Sequence, residues 1–135
     1  MVGFIVSGHG QFARGLASAV EMVAGSQPAF KVIPFDNTTA ATYADDLRRA
    51  VCDMRAENDG VLVFVDMLGG TPFNQTMAIS QDVDGIEVVG GANLPMLVEL
   101  LFKRRNASLA DLAELAVQVG RTGIAHKAMC ARACD

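Results

Sequence analysis

The chain has 135 residues, 51% of them hydrophobic and 19% charged, with a formal net charge of −4. That balance gives enough apolar surface for one well-formed core and excludes a disordered, charge-rich chain. It also gives no basic face for nucleic acid, and the one basic cluster, Lys103-Arg104-Arg105, is read as cations complementing a helix C-terminus.

No run is long and apolar enough to span a membrane. The most hydrophobic stretch, residues 60–68, is short and is broken by Asp66. No basic segment precedes an apolar block at the N-terminus, so no signal peptide and a cytoplasmic location are expected. The three cysteines, Cys52, Cys130 and Cys134, are sparse, which predicts reduced thiols rather than a disulfide frame. Cys130 and Cys134 are four apart, but no further ligand cluster accompanies them, and no metal or other cofactor is expected.

In chain order, Gly3-Phe4-Ile5-Val6-Ser7-Gly8-His9-Gly10 reads as a buried strand that ends in a tight turn presenting His9. Phe12, Leu16, Val20 and Val23 then recur at helical spacing, and Gly25 is a natural stop. Residues 30–35 form a second strand, which Pro34 places at an edge or a strand end. Asp36-Asn37-Thr38-Thr39 is a polar turn suited to cap the next helix, whose apolar face is Tyr43, Leu47, Val51 and Met54.

Residues 61–65 are continuously apolar, as in a strand buried on both faces, and Asp66 follows at once. Thr71 is predicted as an N-cap and Pro72 as the first residue of a helix ending near Gln81. Residues 86–91 make a fourth strand. Asn93 caps a helix through Phe102, and Ser108 with Asp111 opens a last helix that Gly120 ends. Residues 123–128 read as either a short edge strand or a frayed end. Strands alternating with helices predict an α/β fold: a doubly wound, mainly parallel four-stranded sheet with helices on both faces and room for a C-terminal antiparallel edge strand.

In such a sheet ligands bind beyond the carboxyl ends of the strands, and the first and third strands are commonly neighbours at the switch point. His9 and Asp66 then meet. A carboxylate accepting from Nδ1–H fixes the tautomer and leaves Nε2 as a nucleophile or base. Gly69-Gly70-Thr71-Pro72 places backbone N–H groups and a hydroxyl at a helix N-terminus, an arrangement that suits an anion over His9. The loop has no lysine, so it is not a nucleotide P-loop. Asn74 is open to two readings, ligand positioning or a solvated helix residue. Gly90-Gly91-Ala92-Asn93-Leu94-Pro95 either shapes the pocket or merely turns the chain, and His126 is read as a surface histidine. Met67 and Leu68 suggest a docking surface at the rim, whereas Phe12 and Phe73 suit ordinary core better.

Four segments in order, IVSGHGQFARGL, VLVFVDMLGGTPFN, VVGGANLPMLVELL and VGRTGI, resemble the IIA domains of the mannose family of the bacterial phosphoenolpyruvate-dependent sugar phosphotransferase system. The likeness covers residues 2–124 and sets residues 125–135 apart as a tail. It implies that His9 is the phosphorylated residue, that Asp66 orients it, and that Leu68, Gly69, Gly70 and Thr71 surround the phosphoryl group. It implies phospho-HPr as donor and a IIB domain as acceptor, with the membrane components IIC and IID engaged indirectly during sugar uptake. The family fold is a parallel α/β sheet, commonly dimeric, with a C-terminal strand open to exchange between subunits, a part the tail here can play. The alternatives are the phosphocarrier domain of a phosphoenolpyruvate-dependent dihydroxyacetone kinase, a regulatory IIA protein uncoupled from transport, and a small hydrolase or isomerase using His9 and Asp66.

Overall fold

The computed structural model describes residues 1–129. Its elements alternate: β1 (Val2–His9), α1 (Phe12–Ala24), β2 (Phe30–Phe35), α2 (Tyr43–Glu57), β3 (Gly60–Phe64), α3 (Thr71–Asp82), β4 (Ile86–Val89), α4 (Leu94–Leu101) and α5 (Leu109–Thr122). The four strands form one sheet in the order β2-β1-β3-β4, with every pairing parallel.

Side-chain alternation along the strands splits the core in two. Val2, Phe4, Val6, Leu62 and Phe64 face α1, α4 and α5, where Val20, Leu97, Leu100 and Leu112 close the layer. Ile5, Val61, Val63 and Val65 face α2 and α3, against Leu47, Val51 and Ile79. Each such buried aliphatic contributes about 1.5–3 kcal/mol relative to exposure. Because β1 and β3 are central, buried on both faces and in fixed register (Val6↔Phe64), their C-terminal extensions emerge side by side. β2 is the edge strand that Pro34 suggested.

Several local expectations change. Gly70, not Thr71, holds the cap position of α3, because its carbonyl already accepts from Asn74 N–H at 2.9 Å; Thr71 and Pro72 are therefore the first two helical residues. The Asp36 carboxylate accepts from Thr38 and Thr39 N–H and closes its own turn, so α2 starts later, after Thr42. Asn93 and Ser108 do cap, accepting from Met96 and Asp111 N–H at 3.1 Å each. Gly120 does not end α5 but lies within it, where a Cβ would come 2.6 Å from Met96 Cε. Arg104 is not a solvated helix-end cation. It is 2% exposed, its guanidinium lies 5.0 Å from the Phe4 ring centre, and it donates to the carbonyls of Ala29 and Pro28. No fifth strand occurs among the described residues: residues 124–129 are exposed and irregular, His126 among them. Cys130 and Cys134 lie outside the described residues.

Candidate functional site

The site forms where β1 and β3 end. β1 stays paired with β2 through His9↔Phe35, one residue before Gly10 turns the chain. β3 runs out through Val65 into Asp66, and the two side chains meet there. Asp66 Oδ2 accepts from the backbone N–H of His9 at 2.9 Å and lies 2.8 Å from His9 Nδ1. Asp66 Oδ1 accepts from Met67 N–H at 2.9 Å.

Burial raises the Asp66 carboxyl pKa, but the hydrogen bonds and charge of His9, together with Met67 N–H, outweigh it and hold the group below its ordinary value of 3.8. Asp66 is therefore a carboxylate at neutral pH, an acceptor only, and His9 Nδ1 must carry the proton of the shared bond. In the neutral form of the ring, that leaves the lone pair on Nε2. The His9 side chain is 45% exposed against 16% for Asp66, so the orienting group is covered and the oriented one is open.

The loop 66–71 closes one side of the ring. A Cβ on Gly70 would lie 2.6 Å from His9 Cε1 and 3.3 Å from Nε2, so bare backbone runs along that edge of the imidazole. Gly69 turns the loop with φ +77°. Asn74 Nδ2 donates to the Gly69 carbonyl at 3.1 Å and so fastens the loop. The start of α3 leaves the N–H groups of Thr71 and Phe73 without intrahelical acceptors, and Pro72 has none to satisfy. Leu68 and Met67 stand exposed on the rim, while Phe12 and Phe73 are half-buried. The turn after β4 packs against the loop, with Leu68 resting on Gly90. Among the described residues no three His, Cys, Asp or Glu side chains group as metal ligands.

Sequence reasoning missed the layer beneath. Tyr43 and Ser7 are buried with their hydroxyl oxygens 2.5 Å apart. Ser7 donates to the Ile33 carbonyl at 2.6 Å, so its proton is committed and Tyr43 is the donor between them. Burial is the main cause that pushes the Tyr43 pKa up to about 12, with the Asp66 charge adding and the Ser7 hydrogen bond opposing. The one available signal was a serine inside the apolar run of β1.

A switch-point cleft, a carboxylate-oriented histidine and a glycine loop at a helix N-terminus together define an α/β protein with a nucleophilic imidazole at an anion-compatible rim. The family model described as the fructose IIA component of the PTS system (EIIA-man) matches residues 3–117, and the chain belongs to that family. It is 35% identical over 125 residues to the mannose-specific EIIAB component of Escherichia coli K12, covering 91% of this chain but only 38% of that protein's length. It is 32% identical to the fructose-specific EIIA component of Bacillus subtilis 168, covering 83% of this chain and 77% of the relative. The crystal structure of a phosphotransferase system EIIA component from Streptococcus agalactiae superposes with a TM-score of 0.81 at 32% identity, over 93% of this chain and 97% of the other. Among the described residues no helix is long and apolar enough to cross a membrane.

Proposed function

We propose that this chain is a phosphotransferase of the phosphocarrier type. In this reading it takes a phosphoryl group from phospho-HPr onto Nε2 of His9 and hands it to a IIB component during sugar uptake. The observation that carries the reading is the Asp66 oxygen shared by the His9 backbone N–H and Nδ1, which commits a proton to Nδ1 and, in the neutral ring, leaves the Nε2 lone pair free.

Transfer is in line. The Nε2 lone pair forms a P–N bond as the donor histidine's P–N bond breaks, and the donor imidazole leaves with the bonding pair. The phosphorylated His9 ring, still protonated at Nδ1, bears positive charge that the Asp66 carboxylate offsets. The N–H groups of residues 68–71 and the Thr71 hydroxyl stabilise the phosphoryl oxygens. Positioning and charge stabilisation account for the rate, because little covalent assistance is needed. The same geometry run in reverse delivers the group to the acceptor.

Residues 1–124 act as the IIA domain and residues 125–135 as a tail, in the cytoplasm, with IIC and IID reached only through IIB. A homodimer is part of the reading. Its support is the β4 edge, unpaired among the described residues, where Leu68, Met77, Val117 and Ile124 line an open groove of about 630 Å³.

The test is incubation with phosphoenolpyruvate, enzyme I and HPr, followed by intact mass and acid lability. One acid-labile phosphoryl group is expected on the wild type and none on His9→Ala. An alanine variant that still gains it refutes the assignment. Addition of purified IIB or of a dihydroxyacetone kinase subunit then identifies the acceptor, and light scattering reports the dimer.

A further inference from the structure

We propose that Phe35 is a positioning residue for the His9 imidazole. The inference rests on the phosphocarrier reading for its consequence, but its geometry stands on its own.

The Asp66 hydrogen bond fixes one atom of the ring. A ring held at Nδ1 alone can still swing about that bond and carry Nε2 off the line of transfer. Gly70 closes the Cε1 edge. Phe35 supplies a second surface against the ring. It is the register partner of His9, and its carbonyl accepts from Gly10 N–H at 2.8 Å, so the backbones on both sides of the contact are locked. The two rings meet edge to face, with centroids 5.6 Å apart and planes at 79°. Contacts of that geometry bias a ring's orientation by about two- to tenfold.

Phe35 is in turn backed. Its ring lies 4.8 Å from that of Tyr43, tilted at 57°. The Tyr43 hydroxyl donates to Ser7 of β1, and Ser7 donates to Ile33 of β2. The backing ring is thereby pinned to the two strands whose ends carry His9 and Phe35. This gives the buried Ser7–Tyr43 pair a purpose that the core alone does not require: it holds the surface on which the imidazole rests.

The test uses Phe35→Leu in the full chain, with Phe35→Met as a second apolar filler should the first fold poorly. Two measurements are made: the His9 ring-nitrogen signals of the unphosphorylated protein by 15N NMR, and single-turnover transfer from phospho-HPr. The expected result is broadened or shifted ring nitrogens with the Nδ1–H tautomer kept, and transfer about two- to tenfold slower at saturating donor, with the donor's KM unchanged. Ring-nitrogen signals identical to wild type overturn the proposal, as does an unchanged transfer rate despite altered signals. A wild-type protein that accepts nothing from phospho-HPr overturns the functional reading instead and leaves the ring-nitrogen signals to decide on Phe35.

Discussion

Gly70→Ala separates activity from stability at a single methyl group. Gly70 has φ −82° and ψ 170°, a conformation that alanine adopts without strain. The added Cβ would sit 2.6 Å from His9 Cε1, where ordinary contact begins at 3.4 Å. Relieving that overlap displaces the imidazole by about 1 Å, and a misplacement of that size costs about 100-fold in rate. The equivalent barrier increase is about 2.7 kcal/mol. Folding should not suffer, because alanine at a compatible site stabilises by about 0.4–1 kcal/mol through the unfolded chain. The assay is quench-flow transfer from phospho-HPr beside thermal melting. A variant that melts at or above the wild-type temperature and transfers about 100-fold more slowly supports the geometry. Transfer within about threefold of wild type refutes the claim that the loop fixes the ring, since that is under 1 kcal/mol of barrier. Gly69→Ala is the converse control. Its φ of +77° strains alanine by about 1–2 kcal/mol, with nothing within 4 Å of the new methyl, so it should lose stability while leaving the ring free of contact.

Two further variants give three more outcomes. Asp66→Asn keeps the shape but removes the charge opposite the phosphorylated ring, and transfer should fall about 100-fold or more. The same variant tests linkage. Folding holds the Asp66 carboxyl below 3.8, so the unfolded chain binds the proton first as pH falls. The stabilisation is thus complete above the ordinary carboxyl range and is lost as pH drops through the folded value. Urea midpoints measured downward from neutral pH should decline less steeply in Asp66→Asn, and parallel curves contradict the linkage. Arg104→Met should cost about 1–3 kcal/mol in urea unfolding, because the Pro28 carbonyl loses its donor, while the Ala29 carbonyl keeps only the Phe4 N–H. Phosphoryl transfer per folded molecule should be untouched, and an unchanged urea midpoint argues against a structural role for the guanidinium.

Much of this protein was legible in one dimension. The apolar run 61–65, the helical stripes and the caps at Asn93 and Ser108 gave the alternation of strand and helix. Alternation, with right-handed crossovers, leaves few topologies and brings the ends of β1 and β3 together. Hence His9 and Asp66 could be paired from strand order alone, although 57 residues separate them.

What the chain's order could not convey is decided by contacts across that order. A charge in a basic triplet reads as a helix-end cation, yet tertiary packing closes over Arg104, whose guanidinium donates to the carbonyls of residues 28 and 29 and lies against Phe4. A glycine near a helix end reads as a stop, yet Gly120 stays helical, and its bare Cα makes room for a methionine 24 residues earlier. Phe35 and Tyr43 read as ordinary apolar residues, and only the parallel register sets the one beside the imidazole and the other behind it. Periodicity records which face of an element avoids water, a local property. Which atom lies against which depends on register and layer packing, and these exist only once the sheet has closed.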